Sequence, residues 1–193
     1  MAQRSGVALP GHRAPAVGLE APFEMLVACH ERVQRSLTLM ARLQQHLLDK
    51  GLDDDARQAA RDVMRYFDVA APLHHQDEEL HVFPPVLAGP DTALHAVVHQ
   101  LLHDHRQMEH AWVSARAVLL TMADGAASTW QALTPAQTAA LDQFASLYGQ
   151  HIQNEERLVY PAAQAVVQAE NLQAMSQDMM RRRGASTKPM PIG

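Results

Sequence analysis

The stretch His74-His75-Gln76-Asp77-Glu78-Glu79-Leu80-His81-Val82-Phe83-Pro84 has an ungapped echo in His151-Ile152-Gln153-Asn154-Glu155-Glu156-Arg157-Leu158-Val159-Tyr160-Pro161. His74 falls on His151, Glu78 on Glu155, Glu79 on Glu156, Phe83 on Tyr160 and Pro84 on Pro161. A histidine followed four residues later by a glutamate stacks both side chains on one helix face. Imidazole and carboxylate are ordinary ligands for iron, zinc and manganese. One HxxxE says little. Two in a common frame, each closed by an aromatic-proline pair, demand a fold that brings two similar helices together.

The duplication extends beyond these stretches. The spacing predicts a first helix over about 22–49, with Phe23, Leu26, Val27, His30, Val33, Leu37, Met40 and Leu43 in a helical apolar period. A third helix is expected over about 91–123, with Val98, Leu101 or Leu102, His105, Met108, Trp112, Ala115 and Leu119 on its apolar face. His105 interrupts that face as His30 interrupts the first. The match runs outward from Val33 with Met108 to Leu43 with Val118. The second and fourth helices, about 54–84 and from Thr134-Pro135 onward, carry the two HxxxE pairs. Pro72 should kink or break the second, and Pro161 should kink or end the fourth. Only 5% of the chain is aromatic, while Ala, Leu, Gln and Met are plentiful, which favours helices over sheets. The expected fold is all-α: an up-down-up-down four-helix bundle over 21–165. A flexible Gly/Pro-containing arm over 1–20 precedes it. An extra amphipathic helix with Leu172, Met175 and Met179 follows within 166–193, and its Arg181-Arg182-Arg183 end reads first as a solvated helix end and second as a partner contact.

The net charge of −5 argues against nucleic acid as a partner, and no apolar run is long enough to span a bilayer. A lone cysteine, Cys29, cannot form an internal disulfide, which fits a reducing cytoplasm. Cys29 adjoins His30 and reads as a buried structural thiol.

A buried carboxylate is costly without a cation. Inward-facing His30, His74, His105, His151, Glu78 and Glu155 place six ligand-type side chains at one level of the bundle. Two glutamates and four histidines suffice for two metal ions, with each carboxylate free to bridge; iron, manganese and zinc all suit the set. A second tier comprises His81, His75, Glu79, His103 and Glu156. His81 shares the face of His74. With Glu78 it forms an ExxH, but the other copy has Leu158 in place of the histidine, which disfavours a ferritin-like reading. His75 and Glu79 form a rival HxxxE whose face runs back to Asp68 and Met64, less apolar than the face of His74. His103 lies on a polar side with His99, and Glu156 is an alternative to Glu155. Tyr148 and Tyr160 read first as packing residues and second as hydrogen-bond donors near the site.

With these residues in place, the chain resembles the hemerythrin-like, or HHE cation-binding, domain family. The resemblance covers about 22–165 and rests on Cys29-His30-Glu31, the two long stretches and His103-Asp104-His105. It implies a bundle around a non-haem di-iron centre with an oxo or hydroxo bridge. His30, His74, His105 and His151 would be terminal ligands, and Glu78 and Glu155 bridges. Oxygen-carrying members have HxxxH on the third helix. Here His99-x-x-x-His103 lies off the expected core face, which leaves a fifth histidine unassigned. The implied partners are small ligands such as O₂, NO or peroxide; a homodimer through the C-terminal helix is a further expectation. Three functional classes follow: a binding or sensing module, an oxidoreductase or iron-centre repair protein, and a zinc- or iron-stabilised structural bundle without turnover.

Overall fold

A computed structural model describes residues 21–184. The expected arm over 1–20, with His12, and the tail after Gly184 lie outside the described residues. Among the described residues there are helices and no strands. Helix α1 spans Pro22–Lys50 and stops at Gly51, whose positive φ only glycine adopts readily. Asp53 then caps α2 (Asp54–Arg65), accepting a hydrogen bond from the Ala56 amide at 2.9 Å. After α3 (Ala71–Asp77) and α4 (Phe83–Leu87), Asp91 caps α5 (Thr92–Asp124). Thr134 and Gln137 form a capping box at the start of α6 (Pro135–Ser146). Helices α7 (Tyr148–Asn154), α8 (Tyr160–Val166) and α9 (Ala169–Arg182) complete the described chain.

The prolines neither break the second rod nor end the fourth. Each is absorbed by a turn of π-helix. Tyr66–Ala70 joins α2 to α3, Glu78–Val82 joins α3 to α4, and Glu155–Val159 joins α7 to α8. The residue after each turn bonds five residues back: Ala71 to the Tyr66 carbonyl, Phe83 to Glu78 and Tyr160 to Glu155. The next residue is proline every time: Pro72, Pro84 and Pro161. Proline lacks an N–H, and its ring crowds the carbonyl four residues back. Widening the turn by one residue relieves that clash without ending the helix, and such turns are frequent at functional sites. Two of the three turns begin on the paired glutamates Glu78 and Glu155. The aromatic-proline pair that closes each repeat is thus the device that reshapes the helix at the site.

Helix α1 packs on α2, α2 on α5, α5 on α6 and α6 back on α1, a closed helical bundle. Its interior has two apolar clusters. One holds Val33, Met40, Val63, Phe67, Met108, Leu119 and Phe144. The other holds Leu26, Val82, Phe83, Leu101, Val159, Met175 and Met179. On α1, His30 falls between Leu26 of one cluster and Val33 of the other. His105 does the same between Leu101 and Met108. The histidines and glutamates therefore form a polar layer between two dry slabs. The outward repeat holds in three dimensions: Val33, Met40 and Leu43 are buried like Met108, Ala115 and Val118, and Leu37 and Trp112 are both half-buried.

Helix α9 folds back onto the bundle. Met175 and Met179 pack within the chain. The basic end is not fully solvated as expected. Arg182 and Arg183 both pair with Asp77, which is fully buried, while Arg181 stays exposed. A buried carboxylate needs a cation, and periodicity along α9 could not show that Asp77 lay beneath its end. No described helix is long and apolar enough to cross a membrane.

Candidate metal centre

All six first-tier residues converge in the polar layer. His30, His74, Glu78, His105, His151 and Glu155 are each 2% exposed or less. His30, His74, Glu78 and Glu155 each offer a ligand atom within 4.8 Å of the others. A second group, His75, His105 and His151, meets the same condition. The groups adjoin: His105 Nε2 lies 3.5 Å from Glu78 Oε2 and 3.7 Å from Glu155 Oε1.

His75 is the fifth imidazole, and it is buried. On a regular α-helix His75 would lie off the core face, in line with Asp68 and Met64. The π turn at Tyr66–Ala70 slips the register by one residue. His75 then follows the stripe of Phe67 and Val63, both buried, and shares the interior with His74. The ring of His75 stacks on that of His105, with centroids 4.0 Å apart. The signal that could have revealed it is Pro72, whose missing N–H calls for a widened turn upstream.

The other second-tier residues do not enter the cluster. His81 pairs with Asp178 of α9 at 2.9 Å, because the register of the Glu78–Val82 turn carries it toward α9. His103 is exposed on α5, as is His99. Glu79 and Glu156 sit at the rim and serve the histidines. His105 Nδ1 lies 2.8 Å from Glu79 Oε1, and His30 Nδ1 lies 2.8 Å from Glu156 Oε1. The pairing crosses the duplication: each half's second glutamate holds the other half's single histidine. A carboxylate on Nδ1 fixes the tautomer and leaves Nε2 as the inward lone pair. Asp104 stands 3.4 Å from His151 Nδ1 in a similar role. This explains why both repeats read Glu-Glu. The first acid faces in, and the second reaches across the rim.

Tyr148 lies in the apolar cluster against Phe67 and Phe144, so packing describes it. Tyr160 is at the centre: its hydroxyl donates to Glu78 Oε1 and lies 3.2 Å from His30 Nε2. Cys29 is buried, with its thiol pushed up by burial and 3.9 Å from an Arg32 nitrogen.

The electrostatics ask for positive charge. Burial alone would depress His30 and His105, but Glu155 and Glu78 reverse this and hold them up at about 9 and about 10. His74 and His75 go the other way, driven well below the ordinary histidine range by burial and then by neighbouring imidazoles. Burial and the charge of Glu155 raise Glu78. Burial would also raise Glu155, but His151, His105 and His30 overcome it and hold Glu155 well below the usual carboxylate range. Tyr160 is pushed far up by burial and then by the Glu78 and Glu155 charges, which keeps it a neutral donor.

Several donor atoms approach closely without an aligned hydrogen bond. Glu155 Oε1 is 2.9 Å from His151 Nε2, and Glu155 Oε2 is 3.1 Å from His30 Nε2. Even so, both Glu155 oxygens, Glu78 Oε2, His105 Nε2 and His151 Nε2 have no aligned hydrogen bond. Buried polar atoms left this way are rare, and several converging at one point fit a cation.

The profile of the Hemerythrin HHE cation binding domain matches residues 21–163. The chain belongs to this hemerythrin family. A Haemophilus influenzae protein described as an uncharacterized protein is 28% identical over 163 residues, covering 84% of this chain and 90% of that protein. In this hemerythrin-family chain the matched domain contains every member of both clusters, whereas α9 lies beyond it. The arginines that cover Asp77 are therefore an addition to the domain.

Proposed function

We propose that the protein holds a non-haem di-iron centre that binds or reacts with O₂, peroxide or NO. One observation carries the reading: five imidazoles and two carboxylates lie buried in two adjoining clusters, and both Glu155 oxygens, Glu78 Oε2, His105 Nε2 and His151 Nε2 among them have no aligned hydrogen bond. His30 and His74 would hold one ion and His75, His105 and His151 the other, with Glu78 and Glu155 between them. An iron pair supplies electrons for chemistry with these small molecules. Imidazole and carboxylate together suit iron, and the absence of thiolate from the donor set fits an oxygen-reactive rather than an iron–sulfur site. The surrounding apolar slabs exclude water from the layer. Glu79, Glu156 and Asp104 hold the imidazoles in orientation.

Metal analysis of protein purified without added metal tests this, with two iron ions per chain expected. A ferric pair should absorb in the near-UV, and azide or peroxide should perturb that absorption. Zinc alone would support the structural bundle instead. Rapid consumption of peroxide or NO would favour an enzyme, and a reversible colour change with O₂ a binder. His74→Ala and Glu155→Ala should each lose at least one iron. His46→Ala should keep both, since His46 pairs with Asp53 at the α1–α2 junction, away from the clusters. Equal iron in all three variants would defeat the assignment.

A further inference from the structure

The duplication is broken at two buried positions of the polar layer: His75 aligns with Ile152, which gives one end its third imidazole, and Phe83 aligns with Tyr160. Where the second repeat has Tyr160, the first has Phe83. Both side chains are buried, and both follow a π turn that starts on a cluster glutamate. Each ring stacks on a candidate ligand: Phe83 on His105 at 5.7 Å and 27°, Tyr160 on His30 at 5.6 Å and 10°. The two positions are equivalent in backbone, burial and ring contact. They differ by one hydroxyl.

That hydroxyl is inside the cluster. It donates to Glu78, and its oxygen lies 3.2 Å from His30 Nε2, the nitrogen left facing inward once Glu156 occupies Nδ1. An ion held by His30 Nε2 therefore lies within reach of any ligand that Tyr160 can hydrogen-bond. The donor sets differ in the same direction. The His30–His74 end offers two imidazoles, and the His75–His105–His151 end offers three. Fewer protein donors leave more of the coordination shell for an outside ligand. Tyr160 also lines an open cleft of about 320 Å³ with Phe23, Val27, Ala28, Glu31 and Glu156, so the phenol stands between that cleft and the cluster.

We propose that Tyr160 adds to the inequality that His75 sets: its hydroxyl is the donor that recognises a small anionic ligand at the His30–His74 end, and Phe83 leaves the other end without one. The ligand class is a two- or three-atom anion with a lone-pair terminus, for which azide is a probe. A phenol has one proton to give. Glu78 receives it in the structure, and a bound anion would compete for the same proton. A hydrogen bond to a charged acceptor is among the stronger ones, so its loss should cost about tenfold or more in affinity.

The inference rests on the di-iron reading, and one experiment separates the two. Tyr160→Phe installs the residue already used at the equivalent position, which the fold accommodates. Iron content, thermal unfolding and azide titration of the ferric protein followed by absorption are measured for wild type and variant. The expected result is two irons in both, similar unfolding temperatures, about tenfold weaker azide binding in the variant and a shifted azide band. Unchanged azide affinity and band position with both irons present would overturn the role of Tyr160 and leave the di-iron reading intact. Loss of iron from the variant would also overturn it, by making the phenol part of metal retention. Wild-type protein that takes up no iron would overturn both.

Discussion

At the scale of single residues, position relative to the polar layer decides chemistry more than residue type does. Glu155 and Glu156 are neighbours of identical chemistry. One is fully buried among imidazoles, while the other lies at the rim with its side chain 38% exposed. The inner one is a candidate bridge, and the outer one orients His30 through Nδ1. Removing the outer carboxylate should leave the fold intact and loosen the metal. For Glu156→Ala we expect about tenfold weaker iron retention in a chelator competition, the lower end of the ~10–100-fold seen for such outer partners, because water can reach the freed Nδ1. Retention equal to wild type would show that His30 needs no orienting partner. The same contrast separates His74 and His75 from His81, three histidines of one stretch that end in three environments.

At the scale of elements, the π turns and α9 carry the unusual features. Asp77 immediately precedes Glu78 and is fully buried, with Arg182 and Arg183 as its ionic partners. Asp77→Asn would leave two guanidinium groups facing a neutral amide. Breaking a buried pair by removing one partner costs roughly 3–5 kcal/mol, and the partial exposure of both arginines puts the expectation near ~3 kcal/mol. Urea denaturation should show it as a lower midpoint with α9 loosened. A midpoint unchanged within error would mean that α9 is held by Met175, Met179 and the His81–Asp178 pair without help from Asp77. At the start of α2, the Ala56 amide, followed by His46, lowers the pKa of Asp53. A lowered carboxyl contributes stability above its unfolded pKa and loses it as pH falls through the folded value. The cap should therefore be intact at neutral pH and fail below about pH 4. Asp53→Ala should lower stability by about 1 kcal/mol at pH 7, and the gap to wild type should close in acid. A pH-independent gap would assign the effect to something other than the charge.

At the scale of the whole molecule, the polar layer is held by apolar slabs that do not share its chemistry. Leu119 is fully buried in the slab away from α9. Leu119→Ala should cost about 2–5 kcal/mol by opening a cavity. Iron stoichiometry at low temperature should stay at the wild-type value, since effects at separated sites are close to additive. Loss of iron in the folded variant would instead show that this slab sets the ligand geometry directly. The crossed pairing of His30 with Glu156 and of His105 with Glu79 ties the two halves at the same level. Neither half completes its own site.

From the sequence alone came the helical class, the duplicated hairpin, the helix starts near Asp54, Asp91 and Thr134, and the six first-tier residues. These follow from local rules, because capping, periodicity and four-residue spacing act within a turn or two of the chain. His75, the rim roles of Glu79 and Glu156, the phenol of Tyr160 and the burial of Asp77 under Arg182 and Arg183 were decided by tertiary structure. The first depends on a register slip that an unbroken helical period cannot express. The others depend on which side chain from a distant segment arrives opposite, and only the packed bundle determines that.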